Sequence, residues 1–280
     1  MKSIQILLIY ILLCYSSVNA QYFKRFDREY IVPQGKELTL IFNGNVGILS
    51  INRNQDSRKV RVYIYYQPDL YNTDVYFDKD IGELFVKVDK ESFIRGVNDK
   101  ETAETEIDIP YDVPTNLNIK IKAGEVDIDL GGLRIKDFQI VSWAGEVAID
   151  FSRPNLERMK DMDIDVKVGE VRLKRLGNAN FERANIDGGI GELIIDFSGE
   201  YTGRSTAIVD LEIGANRIIL PQDAGIRMSV SKMWFLSQLS FPVGIKKRGR
   251  FYYSDNYGEV KKELFLKIKM GIGEIQIDWE

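Results

Sequence analysis

Ala123-Gly124-Glu125-Val126-Asp127-Ile128-Asp129-Leu130 returns 21 residues later as Ala144-Gly145-Glu146-Val147-Ala148-Ile149-Asp150-Phe151. It recurs as Val168-Gly169-Glu170-Val171-Arg172-Leu173-Lys174, as Ile190-Gly191-Glu192-Leu193-Ile194-Ile195-Asp196-Phe197 and, degenerate, as Ile213-Gly214-Ala215-Asn216-Arg217-Ile218-Ile219-Leu220. The last copy is Ile272-Gly273-Glu274-Ile275-Gln276-Ile277-Asp278-Trp279. The glycines of the first five copies are 21, 24, 22 and 23 residues apart, the period of a stacked array in which each repeat is one supersecondary unit. The second residue after the glycine is apolar in all but the degenerate copy, and the fourth is Ile or Leu in all of them. The first, third and fifth are mostly charged. That alternation reads as a half-buried strand.

The residue before each glycine is apolar too, and Ile121-Lys122-Ala123, Val166-Lys167-Val168 and Leu211-Glu212-Ile213 extend the alternation backward. A step of three therefore separates the last inward residue before the glycine from the first one after it. The strand phase slips at Gly-Glu and the chain must turn there. A bulge or corner in a continuous coil does this, and so does a two-residue hairpin with glycine at its first central position. The expectation is an all-β fold built from repeats, a β-solenoid with one short coil per repeat, with stacked β-hairpins or a sandwich as the alternative. Gly124, Gly145, Gly169, Gly191, Gly214 and Gly273 are its structural repeat positions. A weaker copy, Ile81-Gly82-Glu83-Leu84-Phe85-Val86-Lys87, and a related Val46-Gly47-Ile48-Leu49 stand upstream at irregular spacing. Lys59 to Tyr66 alternates like a strand, Asn155 to Lys160 offers one helical turn after Pro154, and Pro221 to Lys262 reads as a loop-rich excursion.

Residues 1–20 carry one charge, Lys2, an apolar run from Ile4 to Leu13 and the ending Val18-Asn19-Ala20. These are the parts of a secretory signal, too short to span a bilayer, with small residues placed for cleavage before Gln21. Lipidation at Cys14 is disfavoured because Leu13 stands where a small residue is needed. The reading is a cleaved signal peptide at 1–20 and a single elongated β domain at 21–280, irregular over 21–110 and regular over 111–280. No transmembrane segment is expected in the mature chain, which places it in the periplasm or at the cell surface.

The chain has 280 residues, 42 acidic and 38 basic side chains, one cysteine and no histidine. Without imidazole there is no Ser-His or Cys-His nucleophile and no histidine metal ligand, and with Cys14 in the leader no thiolate site either. Losing Lys2 with the leader takes the formal charge from −4 to −5, which argues against binding a nucleic-acid backbone. No residue is assigned a catalytic or cofactor-binding role, and no cofactor is expected.

Stacking in register would bring Glu125, Glu146, Glu170 and Glu192 into a column with neighbours about 4.8 Å apart, where carboxylates repel by about 1 kcal/mol in water. Splaying into solvent relieves it, and so would a hard cation such as calcium, which makes these four the weak metal candidates. Asp129, Asp150, Lys174 and Asp196 form a second column with a lysine between aspartates. Asp161-Met162-Asp163-Ile164-Asp165 resembles the opening of a calcium loop but has Val166 where glycine is required, so it reads as a strand with aspartates facing water. Tyr63, Tyr65, Tyr66, Tyr71, Tyr76 and Phe77 are candidates for a sugar-stacking face. Lys246-Lys247-Arg248-Gly249-Arg250 is a basic run that reads first as a solvated loop and second as a contact for anionic lipid or polysaccharide.

The chain resembles the bacterial exported proteins grouped as adhesin or toast-rack domains, relatives of the C-terminal domain of cell-wall-active antibiotic response proteins. Ile107-Asp108-Ile109-Pro110-Tyr111-Asp112-Val113-Pro114, Gly124-Glu125-Val126-Asp127-Ile128, Leu220-Pro221-Gln222-Asp223-Ala224-Gly225-Ile226 and Gly271-Ile272-Gly273-Glu274-Ile275 carry the likeness, which spans roughly residues 46–280. It implies a toast-rack-like stack in the bacterial envelope with no established enzyme activity. The function expected is a non-enzymatic envelope protein presenting a stacked β surface for adhesion or assembly, its partner an unidentified envelope protein or polysaccharide. The alternatives are an envelope-stress or regulatory partner and a carbohydrate-active enzyme using acidic residues on a solenoid face.

Overall fold

The computed structural model describes residues 22–91, 102–200, 203–232 and 236–280; the leader at 1–20, with Cys14, lies outside them. Seven strands of 16 or 17 residues dominate: β2 (Leu38–Asn54), β7 (Pro114–Asp129), β8 (Arg134–Asp150), β9 (Met159–Lys174), β10 (Phe181–Asp196), β11 (Arg204–Leu220) and β16 (Glu263–Trp279). Each runs straight through its glycine. The long strands pair in parallel, in the order β2-β7-β8-β9-β10-β11-β16, with Gly47, Gly124, Gly145, Gly169, Gly191, Gly214 and Gly273 as successive partners. A hairpin at the glycine would have paired each copy antiparallel with itself, so the fold is a β-solenoid and the hairpin alternative falls away.

Alternation decides what the coil encloses. In β7, Leu117, Ile119 and Ile121 before the glycine and Val126 and Ile128 after it are buried, with Lys122, Glu125 and Asp127 exposed between them. The arms on either side of the corner thus share one interior, a single apolar cluster running from Val32 to Ile277. The fourth-position residues form its most regular layer: Ile51, Ile128, Ile149, Leu173, Ile195, Ile218 and Ile277 are consecutive register partners.

The ends of the stack split at the corner. The first arm of β2 pairs with β5 (Glu83–Lys90), which pairs with β4 (Tyr71–Asp78). Its second arm pairs with β6 (Glu104–Pro110), followed outward by β3 (Lys59–Tyr66) and β1 (Lys24–Ile31). At the other end the first arm of β16 pairs with β12 (Gly225–Lys232) and its second arm with β13 (Ser237–Ser240). The hairpin of β14 (Ile245–Arg248) and β15 (Phe251–Ser254) joins β12.

Four local readings change. Gly47 belongs to a full-length coil, so a regular repeat lies within the part expected to be irregular, separated from the next copy by the insertion that makes β3 to β6. Gly82 is no corner: it closes the β4–β5 turn, donating to Asp78 O at 2.8 Å. The stretch from Asn155 to Lys160 is not helical, because the Asn155 side chain bonds the backbone of Ile135, Glu157 and Ala179 and ties neighbouring coils together. The helical element among the described residues is the 3-10 turn Leu176–Ala179. Residues 221–262 contain four strands between their loops, and the basic run starts on β14, antiparallel to β15, with Gly249 and Arg250 in the turn between them.

Candidate functional site

The corner is the most repetitive surface of the molecule, and two columns run along it. Glu125, Glu146, Glu170 and Glu192 are consecutive partners on four neighbouring strands. The repulsion this creates is met by exposure and by one pair, Arg172 donating to Glu170 Oε2 at 2.7 Å. Among the described residues, no three or more Asp, Glu, His or Cys side chains are arranged to hold a metal ion.

The second column is the residue before each glycine, and here the inward expectation fails. Val168, Ile190, Ile213 and Ile272 are 47, 50, 45 and 43% exposed. The step between inward positions is five residues, not three, as from Ile121 to Val126. A glycine with φ between +127° and +147° at Gly124, Gly145, Gly169 and Gly191 swings the corner outward, so the flanking apolar residue crowns the ridge. Val168, Ile190, Ile213 and Ile272 are register partners. Leu236, whose carbonyl accepts from Gly273 N at 3.0 Å, carries the row one strand further, 43% exposed. Trp143, also exposed, stands beside it on β8.

The fifth-position aspartates work at the turns that close each coil. Asp129 accepts from Gly131 N at 2.9 Å and from Ser152 Oγ at 2.7 Å, Asp196 accepts from Ser198 N at 2.8 Å, and Arg175 pairs with Asp150. Asp150 sits in register between Asp129 and Lys174.

On the outer face of the first arms, Asp165, Asp187 and Asp210 are neighbours on three strands. Lys167 pairs with Asp165 at 2.7 Å and Lys269 with Asp210 at 2.6 Å, while Asp187 between them has no ion pair among the described residues. Partial burial, then repulsion from Asp165 and Asp210, pushes its carboxyl above the usual range, with Lys167 and Lys269 opposing. A carboxyl that binds its proton more readily folded than unfolded costs stability as pH rises through that interval. Asp187→Asn should therefore raise the melting temperature at about pH 7, and the gain should vanish below about pH 4, where the unfolded carboxyl is also protonated. Melts of both proteins at the two pH values check this; a lower melting temperature for the variant at neutral pH refutes it.

A cleft of about 290 Å³ on the same face is lined by Thr39, Asn116, Asn118, Asp137, Asp161 and Asp163, among others. Arg183 grips Asp161 through two bonds of 2.7 and 3.0 Å and holds its carboxyl below the usual range. Asn185 donates to Asp163 at 2.7 Å. A carboxylate held ionised is a poor proton donor, the opposite of what a glycosidase general acid needs.

The six aromatics proposed as a sugar-stacking face are not brought together. Tyr66 and Tyr71 are buried, and Phe77 packs on the core. Tyr63 and Tyr65 belong to β3 on the second-arm side, where Phe23 stacks on Tyr65 at 4.7 Å; Tyr76 is exposed on β4, on the first-arm side.

A family model described as the N-terminal domain of toast_rack, DUF2154, matches residues 16–174, more than half of the chain. The chain belongs to that toast-rack family. The match ends with β9, and β10, β11 and β16 of this toast-rack chain continue the same glycine register beyond it. A solved structure from Clostridium sporogenes, described as a "putative cell adhesion protein", is 17% identical with a TM-score of 0.44, over 92% of this chain and 100% of that one. A "putative adhesin" from Bacteroides fragilis is also 17% identical, TM-score 0.40, over 91% of this chain and 97% of that one. No curated protein matches the chain.

Proposed function

We propose that the chain is a non-enzymatic exported protein of the cell envelope whose stacked β surface serves adhesion or assembly. The observation that carries this is the corner row of Val168, Ile190, Ile213, Ile272 and Leu236, all at least 43% exposed and on neighbouring strands. Scattered exposed apolar residues are ordinary, whereas a contiguous row is what an interaction surface offers. Its strand spacing of about 4.8 Å gives a long, evenly spaced contact line, and the glutamate column beside it supplies a polar rim. The leader at 1–20 puts this surface outside the cytoplasm.

Cell fractionation with intact-mass measurement tests the reading. The expected product begins at Gln21 and is found in the periplasm or on the surface. A cytosolic protein retaining Met1 overturns it. Serine at both Ile190 and Ile213 should leave the protein folded and exported while it loses its envelope association; unchanged association removes the corner row from the argument.

A further inference from the structure

We infer that a cleft formed by β11, β16 and β12 binds the oxyanion, carboxylate or phosphate, of an acidic envelope polysaccharide. This names the ligand class of the proposed envelope surface and rests on that reading. The site is centred on Arg227. Thr206, Phe265, Arg227 and Tyr253 are successive partners on four neighbouring strands. The Arg227 guanidinium lies 4.1 Å from the Phe251 ring centre and 4.8 Å from that of Phe265, while the two rings meet edge on at 6.4 Å.

The chemistry follows from which part of the guanidinium is occupied. Aromatic rings attract its face through their quadrupole but accept nothing from the N–H groups along its edge. The Arg227 guanidinium has no carboxylate partner and makes no hydrogen bond among the described residues, and its buried Nε is unpaired. Arg183 and Arg217, by contrast, are each paired with an aspartate at 2.7 Å. Arg227 is thus a fixed cation with its donor fork unused, and a bidentate oxyanion fits that fork.

The surroundings give the fork somewhere to act. A cleft of about 200 Å³ opens beside it, lined also by Arg204, Thr206, Tyr257 and Glu263. Glu263, which would repel an anion, is neutralised by Arg204 at 2.6 Å. Outside the cleft the basic run continues the field. Arg248 lies over Tyr253 and Arg250 over Phe251 at 5.8 and 4.9 Å, neither of them in an ion pair among the described residues. Lys246 is spent on Asp255 at 2.7 Å. A notch followed by a strip of free cations suits a chain of repeated charges. The rings lie beneath the cations, so the surface offers charge and donors rather than apolar anchors for a bilayer.

Titration calorimetry of the purified protein with oligogalacturonate and with phosphomannan tests the site, the two arms separating carboxylate from phosphate. At least one polymer should bind, more weakly at about 200 mM than at about 50 mM salt. Arg227→Gln should weaken that binding at least about tenfold, and Lys246→Gln less than about twofold. Arg227→Lys keeps the charge and loses the fork, so it should still weaken binding by about fivefold or more; thermal melts of all three establish that they are folded. Binding of neither polymer overturns the proposal, as do equal losses in the Gln variants, wild-type affinity in Arg227→Lys, or binding only to phosphatidylglycerol vesicles. Localisation is read separately, so an envelope protein that binds neither polymer overturns the site and leaves the envelope reading standing.

Discussion

Valine at Gly145 should cost about 4 kcal/mol or more and leave the central coils unfolded in mild denaturant, a loss that few single substitutions reach. Two independent penalties coincide there. The φ of +127° is a backbone conformation that L side chains rarely adopt, and forcing one into it costs roughly 1 to 3 kcal/mol. A Cβ would also stand 1.9 Å from the Gly124 carbonyl oxygen, a backbone atom of the adjacent coil that cannot swing aside. The same close approach links every pair in the column, from 1.8 Å at Gly124 to 2.0 Å at Gly273, so relaxation at one corner is blocked by the next. Gly203 is the control. Its φ is +92° but nothing among the described residues lies within 4 Å of its would-be Cβ, so Gly203→Val meets the torsional penalty alone. Urea melts of the two variants decide it; similar losses would mean that the coils do not depend on glycine-to-glycine contact.

Much of this fold is legible because its determinants are local. A glycine that must turn the chain and apolar residues two and four positions later fix both the coil and the register. What escapes is what depends on residues far apart in the chain. The copy at Gly273 comes last, yet β16 lies between β11 and β12, so the closing strand enters a slot left open by an earlier one. Nothing periodic announces that, because strands that could fill the slot look alike. The copy at Gly47 is equally a neighbour of Gly124, but the insertion carrying β3 to β6 breaks the spacing by which a repeat is noticed. The outward position of Val168, Ile190 and Ile272 escapes for a subtler reason: alternation counts residues along one extended strand, and positive φ at the following glycine spends two extra residues on the corner. The Arg227 cleft was not readable at all, since Arg204, Arg227 and Phe265 come from three separate strands and the pairing that brings them together depends on the inserted β16.

The fourth-position layer yields the other large effect. Ile195→Ala should destabilise the protein by about 2 to 5 kcal/mol, the usual cost of emptying a large apolar site that cannot collapse. Collapse is resisted here because Ile195 is 0% exposed and held between Leu173 and Ile218 on hydrogen-bonded strands on both sides. By its place near the chain end Ile277 should matter less, but β16 is inside the sheet and Ile277 is 1% exposed. It partners Ile218, while β13 stops one residue short, at Ser240 opposite Gln276. Ile277→Ala should therefore fall in the same range of about 2 to 5 kcal/mol, toward its lower end because only one hydrogen-bonded strand flanks it. Asp196→Asn is the contrasting substitution. Asn keeps an oxygen to accept from Ser198 N, which Asp196 Oδ1 does at 2.8 Å, so the change should stay within about 0.5 kcal/mol. If denaturant melts find Asp196→Asn as damaging as Ile195→Ala, then the layer does not hold the coils together, and the stability of the stack must come from its turns.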